Sequence, residues 1–127
     1  TYVAQVVEAS VENGRIVVHR VDCVCDCGQV VNPDRVRAQM EGGVVFGLSL
    51  ALHGEITARD GAVVQGNFDT YPIARISETP EIHVHLMDST ELPTGVGEPG
   101  VPPTAPALAN AIHAATGRRL RELPLRV

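Results

Sequence analysis

With 127 residues, the chain has room for one ordinary domain and not two. Fifteen acidic against ten basic residues leave a net charge of −5, and the one cationic cluster, Arg118, Arg119 and Arg121, is too small to drive counterion release from nucleic acid. No apolar run approaches the ~20 residues that a bilayer-spanning helix needs, and with few aromatic residues and no Trp the core must come from Val, Leu, Ile and Ala.

The chain opens on "TYVAQVVEAS", already in strand alternation and without an initiator Met. That start suggests a segment processed, excised or cut from something longer, and no charged-then-apolar signal segment opens the chain as given. Tyr2 to Ser10 alternates as a strand, "VENGR" puts Asn13-Gly14 at a hairpin turn, and Arg15 to Cys25 reads as the returning strand. Cys23, Cys25 and Cys27 in "DCVCDCG" fall on alternate positions, so three thiols line one face. A disulfide between next-but-one neighbours on a strand has poor geometry. C-x-C-x-C also lacks the paired two-residue spacings of zinc and iron–sulfur sites. Buried, reduced, structural thiols are expected.

Asn32 is a suitable N-cap, Pro33 suits the first helical position and Asp34 adds negative charge to the first turn. The spacing predicts a helix from Pro33 to about His53, stopped by Gly54. Gly42, Gly43 and Gly47 inside it each weaken the helix by about 1 kcal/mol relative to Ala, which points to close approach by another backbone or a bulky ligand. "EITARDGAVVQGNF" reads as a second hairpin around Asp60-Gly61, "DTYPIARISETP" is irregular, and "EIHVHLMD" alternates as a strand. His83 and His85 share one face of that strand, but spacing places no third ligand; a solvated or satisfied pair is expected and no metal site is assigned. A second helix runs from about Thr104 to Thr116 with Gly117 as its cap, and "RRLRELPLRV" is expected to add an edge strand. The fold class is α+β: two hairpins and an extra strand form a mostly antiparallel sheet, covered by helices at about 33–53 and 104–116.

Between that last strand and helix lies "GVGEPG", residues 95 to 100. Its glycines satisfy G-x-G-x-x-G, yet "DSTELPT" separates it from the preceding strand, whereas a dinucleotide loop follows its strand directly. Pro99, Pro102 and Pro103 remove backbone donors, and Glu98 would repel a diphosphate. The alternative is a loop that displays one carboxylate. Gly95 and Gly97 before it and Gly100 after Pro99 let the backbone turn sharply and leave space, and Pro99 stiffens the mount, as a general base requires.

Three stretches, "DCGQVVNPDRVRAQMEGGVVFGLSLAL", "FDTYPIARISETPEIHVHLM" and "PTGVGEPGVPPTAPALANAIHAATGRRLRELP", occur in this order. Together they resemble the C-terminal part of the molybdopterin-binding large subunit of the xanthine dehydrogenase/aldehyde oxidase family, in its isoquinoline 1-oxidoreductase-like, aldehyde dehydrogenase-like branch. The resemblance runs from about Cys23 to Leu123. It implies that Glu98 of "GVGEP" is the catalytic active-site base. It also implies a cofactor-binding set: Gln39 of "AQMEGG", which contacts a molybdenum–pterin cofactor, Gly42 and Gly43 of the same motif, and Gly97 beside the base.

The implied reaction is oxidation of an aldehyde or N-heterocycle by hydroxylation at carbon, with oxygen from water. The implied cofactor is molybdopterin, with the cytosine dinucleotide form as one option, shared with segments upstream of this chain. Electrons would leave through [2Fe-2S] clusters on a small iron–sulfur partner subunit, so Cys23, Cys25 and Cys27 are not recruited for them. On this view residues 1–127 are a single domain, the C-terminal segment of a larger subunit, inactive alone. Its partners would be the upstream part of that subunit, the iron–sulfur subunit and a small-molecule substrate, with no nucleic acid and no membrane span. The alternative is a non-catalytic, stand-alone α+β scaffold or assembly module that keeps the fold. A bare apolar sheet surface and self-association are expected of the isolated chain. Free cysteines point to the cytoplasm, with the periplasm also open.

Overall fold

A computed structural model describes all residues, 1–127. Strands β1 (Tyr2–Glu12) and β2 (Arg15–Asp26) pair antiparallel along their whole length. Asn13 and Gly14 between them sit at φ 51° and 76°, the left-handed pair needed by a two-residue turn that matches strand twist. The register shifts once, after Glu8: Glu8 faces Arg20 and Ala9 faces Val18, so His19 is the extra residue of a bulge. On the inner face, Val7, Val21, Cys23 and Cys25 are buried, Cys27 continues the series, and all three thiols are free.

Helix α1 (Pro33–Leu52) starts as its sequence requires, with Asn32 Oδ1 accepting the Arg35 N–H at 3.1 Å. Val36, Met40, Val44, Leu48 and Ala51 bury one stripe, and Gly43 and Gly47 are buried with it. Helix α2 (Thr104–Thr116) buries Thr104, Leu108 and Ile112 and ends at Gly117 in the left-handed region. It packs on β1, while α1 packs on α2 and on the strand Glu81–Leu86.

The second hairpin differs from expectation. Strands β3 (Ala58–Arg59) and β4 (Ala62–Val63) form their own two-stranded sheet. Every residue from 55 to 64 is exposed, so this hairpin stands off the core and its apolar side chains, Ile56, Val63 and Val64, face solvent. After a 3-10 turn at Ile76–Glu78, β5 (Glu81–Leu86) joins the main sheet in the order β1-β2-β5 and runs parallel to β2. A parallel partner needs a long crossover, and α1 with the arm after it provides one. The architecture is α+β, antiparallel along its long strands and parallel at one short edge.

The tail also departs from its expected edge strand. Residues 118–127 form no strand; instead the Leu125 N–H donates to the Ala51 carbonyl at 2.7 Å and the Leu125 side chain enters the core. Pro124 could not have donated to a ladder.

Candidate active site

Residues 87–103 contain neither helix nor strand, yet the segment is fastened along its course. The Met87 N–H donates to Cys25 O at 2.9 Å, Gln29 N–H to Glu91 O at 2.8 Å and Thr94 N–H to Cys27 O at 2.9 Å. A Cβ at Gly28 would collide with the Leu92 carbonyl, so the segment lies directly on that backbone. The Thr1 hydroxyl reaches Thr94 Oγ1 at 2.6 Å and also meets the Gly95 carbonyl. Two turns then lead into α2: Glu98 O accepts Val101 N–H at 2.9 Å, and Val101 O accepts Thr104 N–H at 3.2 Å.

The glycines of this region act through missing side chains. Gly95, Gly97 and Gly100 all avoid positive φ, so the chain turns here without left-handed backbone, and the expected space is found at Gly95 and Gly97. Gly100 is demanded by packing: its Cβ would lie 3.2 Å from Met40 O and 3.4 Å from Met40 Cα. Gly43 is demanded from the other side, and a Cβ on Gly47 would sit 2.7 Å from both Cβ and Oγ1 of Thr104. Gly42 and Gly97 face open space.

Where α1 passes this loop there is an open depression of about 290 Å³, lined by Gln39, Gly42, Gly43, Phe46, Gly97, Glu98 and Val101. All five site residues singled out in the sequence, Gln39, Gly42, Gly43, Gly97 and Glu98, meet here. Phe46 and Val101 were not anticipated. Phe46 carried a signal, because positions 39, 42, 43 and 46 follow the spacing of one helix face. It remains 58% exposed, a flat apolar surface beside two polar side chains. The Glu98 and Gln39 side chains are exposed and engaged in no ion pair or side-chain hydrogen bond. The depression therefore presents an unspent carboxylate, an amide with two donors and an acceptor, and glycine backbone free of obstruction.

Two larger depressions lie elsewhere. One, of about 520 Å³, includes Arg15, His53 and Glu78; the other, of about 450 Å³, includes Arg119, Arg121 and Glu122. Their charged groups are partly spent on each other, as in His53–Glu78 at 3.1 Å and Arg126–Glu55 at 2.9 Å, and neither contains a residue of the loop. Size does not locate the chemistry here; convergence of unspent groups does.

On the outer face of the sheet, Arg20 forks onto Asp22 at 2.7 and 2.8 Å. His85 Nε2 lies 3.2 Å from the same carboxylate. The hydrogen bond from Arg20, and after it that from His85, hold the Asp22 carboxyl well below the usual range. His83 Nε2 stands 2.8 Å from Glu81 Oε1 without the alignment of a hydrogen bond. No three metal-ligating side chains converge around these histidines. In the core, burial pushes the Cys25 thiol up to about 11, with Cys27 adding to the effect, and burial also raises Cys23.

The β2–α1–β5 crossover is the parallel unit that the sequence had not disclosed, but "GVGEPG" lies after its last strand and not at its first strand-to-helix turn. The nucleotide fingerprint remains without its context. The helix that follows begins only at Thr104, behind Pro103, which offers no side-chain cap.

Comparison with known proteins converges on one family. Residues 1–80 match the molybdopterin cofactor-binding domain. The chain is 44% identical over 109 residues to the isoquinoline 1-oxidoreductase subunit beta of Brevundimonas diminuta, covering 86% of this chain and 14% of that protein. It is 41% identical over 113 residues to a membrane-bound aldehyde dehydrogenase of Gluconacetobacter polyoxogenes whose name carries pyrroloquinoline quinone, covering 89% and 15%. Among solved structures, a Cu,Mo-CO dehydrogenase in its carbon monoxide-reduced state superposes with a TM-score of 0.72 at 26% identity, over 84% of this chain and 14% of that one. The chain thus spans about one seventh of the relatives it matches. It belongs to the molybdopterin cofactor-binding domain family, in the form carried by the molybdenum subunits of xanthine dehydrogenase-type oxidoreductases.

Proposed function

We propose that residues 1–127 form one wall of the active site of a molybdenum hydroxylase large subunit, as its C-terminal segment. The enzyme oxidises an aldehyde or N-heterocycle at carbon with oxygen from water. The observation that carries this is the meeting of Gln39, Gly42, Gly43, Gly97 and Glu98 at one depression, although 53 residues of sequence lie between Gly43 and Gly97. The convergence of Glu98 with Gln39 and the open glycines, and not its exposure alone, favours chemistry over a passive scaffold.

The donor set suits the edge of a planar, hydrogen-bonding heterocycle. Gln39 offers amide donors, Gly42 leaves its side of the depression open, and Gly97 lets a ligand approach the backbone beside Glu98. Gly43 serves the packing of the wall itself. When bound, a molybdenum–pterin group supplies the two-electron redox centre; its pterin alone or its cytosine dinucleotide form both suit an open site. Glu98 accepts a proton from the water-derived nucleophile, and Phe46 gives an apolar surface against which an aromatic or aldehydic substrate can lie. A wall of this kind leaves the rest of the cofactor to upstream segments, and the electrons to a partner bearing [2Fe-2S] clusters. Reduced core thiols support a cytoplasmic setting.

Glu98→Gln in the complete molybdenum protein tests the assignment. The variant keeps its molybdenum content and loses about a hundredfold or more in kcat, the scale on which general bases contribute. Turnover near the normal rate would make the base assignment wrong. Metal and pterin analysis of the same protein separates molybdopterin from the quinone that appears in the name of one relative: molybdenum and pterin together support the proposal, and a quinone without molybdenum overturns it.

A further inference from the structure

Gln5 stands on β1 where alternation calls for an apolar side chain. Val3 and Val7 flank it on the inner face, and it pairs across the sheet with the fully buried Cys23. Taking an amide out of water is unfavourable unless both of its ends find partners. Both do, and both partners belong to the segment that follows Glu98. Gln5 Nε2 donates to the Gly100 carbonyl at 2.7 Å, and Gln5 Oε1 accepts from the Thr104 hydroxyl at 2.9 Å. The remaining Nε2 hydrogen has the Cys23 sulfur, a weak acceptor, at 3.8 Å.

Thr104 is completely buried, and its Oγ1 also lies 3.1 Å from the Gly100 carbonyl. Its single hydrogen is shared between two acceptors, so Gln5, Thr104 and Gly100 close a small polar triangle. From the opposite side α1 presses closely: a Cβ on Gly47 would collide with Thr104 at 2.7 Å, and one on Gly43 would crowd the Gly100 Cα at 3.1 Å. The backbone at Gly100 is thereby clamped between β1 and α1. Pro99, with its fixed φ, is the one residue between that clamp and Glu98. Neither Gln5 nor Thr104 lines the depression.

We infer that Gln5 is a positioning residue for Glu98, and that with Thr104 it sets the direction of the Glu98 carboxylate by fixing the Gly100 carbonyl. This rests on the proposed role of Glu98 for its catalytic consequence, but not for its geometry. A base is effective only when held within about 0.5 Å of its productive position, and the clamp is the part of this chain that holds the end of the loop.

The test uses Gln5→Leu, Thr104→Val, Thr104→Ser and the Gln5→Leu/Thr104→Val double variant in the complete molybdenum protein, with kcat, KM, molybdenum content and amide hydrogen exchange measured. Gln5→Leu and Thr104→Val lower kcat by about tenfold to a hundredfold, the scale of a misplaced catalytic group. KM and molybdenum content hold, and exchange accelerates at Val101 and Thr104 while the β1–β2 amides stay protected. Thr104→Ser, which keeps the hydroxyl, retains both turnover and protection. The double variant is close to the worse single one, because the two residues act as one device. The inference is overturned if Gln5→Leu leaves kcat and Val101 exchange as in the parent, if protection is lost equally along β1 and β2, or if Thr104→Ser behaves like Thr104→Val. Normal turnover in Glu98→Gln would remove the base assignment alone, since exchange at Val101 still judges the clamp. Parent-like exchange in Gln5→Leu would remove the clamp and leave the base standing.

Discussion

Gly43 and Gly100 meet backbone to backbone: a Cβ on Gly43 would lie 3.1 Å from the Gly100 Cα and 3.2 Å from its carbonyl carbon. One residue earlier, Gly42 has nothing within 4 Å. Adjacent glycines of one motif therefore serve opposite ends. Gly43 lets the helix seat the loop that bears Glu98, and Gly42 keeps the depression open.

Alanine at the two kinds of position separates these ends. Gly42→Ala gains helix propensity with no clash and raises stability by roughly 0.5–1 kcal/mol. Gly47→Ala must displace the buried Thr104 side chain and lowers stability by about 1–2 kcal/mol, the propensity gain offsetting part of the overpacking. Denaturant midpoints of the two variants give the order directly. A second measurement follows from the first: in the complete protein, the more stable Gly42→Ala holds less molybdenum cofactor, because its methyl group enters the space the ligand needs.

The Arg20–Asp22 pair predicts an acid limb. The folded-state pKa of Asp22 is depressed, so its contribution is present above the ordinary carboxylate value near 3.8 and is lost as pH falls below it. Arg20 is raised and stays charged throughout that window. Denaturation profiles of Asp22→Asn and the parent should run parallel from neutral pH to about 4 and converge below it. Both side chains are substantially solvated, so the separation at neutral pH is small and shrinks with added salt. A separation that persists unchanged at pH 2 would show that the pair is not its source.

Much of this fold was written locally. Asn13-Gly14, Asn32-Pro33 and Gly117 each specify a turn, a start and a stop within a few residues, and the structure uses them so. What escaped was non-local. Nothing in "EIHVHL" says that it pairs with β2 in parallel, since that follows from the crossover of α1. Nothing in "ARDGAV" says that its strands stop at two residues, since that follows from the lack of a surface to cover. In the site, glutamate and glycines were visible as a loop motif, and α1 as a helix face. Gln5 was overlooked although it interrupts Val3 and Val7 in an otherwise apolar inward series, and a polar residue at such a place signals a partner elsewhere in the chain. The glycines of "GVGEPG" suggested backbone freedom, whereas Gly100 proves to be about proximity to Met40.

Cys25 predicts resistance to alkylation. Its thiol is held up to about 11 by burial, and the thiolate is the reactive form. At pH 8 the folded chain reacts with iodoacetamide far more slowly at Cys23 and Cys25 than a free cysteine does, and all three thiols react once it is denatured. A raised thiol pKa stabilises the fold fully below the unfolded value near 9 and loses that contribution as pH rises towards 11. An alkaline loss of stability in that window, absent on the acid side of pH 8, is the expected profile. Rapid labelling of Cys25 in the folded chain would contradict its place in the core.

Exposed apolar surface predicts association of the isolated chain. The chain exposes 8244 Å², well above the roughly 6,500 Å² that surface scaling gives a compact domain of this mass. The exposed apolar groups are not where the sheet alone would put them. Tyr2 and Val6 lie bare on β1, but Phe68 at 94% and Ile76 at 91% exposure, with Ile56, Val63 and Ile73, concentrate on the arm between α1 and β5. The outer face of β2 and β5 is instead covered by the charges of Arg20, Asp22 and His85. Apolar surface gathered on one arm drives contact between copies at rising concentration. Light scattering on the 127-residue chain should therefore show concentration-dependent association, and Phe68→Ser with Ile76→Ser should reduce it without lowering the denaturation midpoint, because neither side chain belongs to the core. A chain that stays monomeric at high concentration, or a double variant that associates as the parent does, would place the driving surface elsewhere.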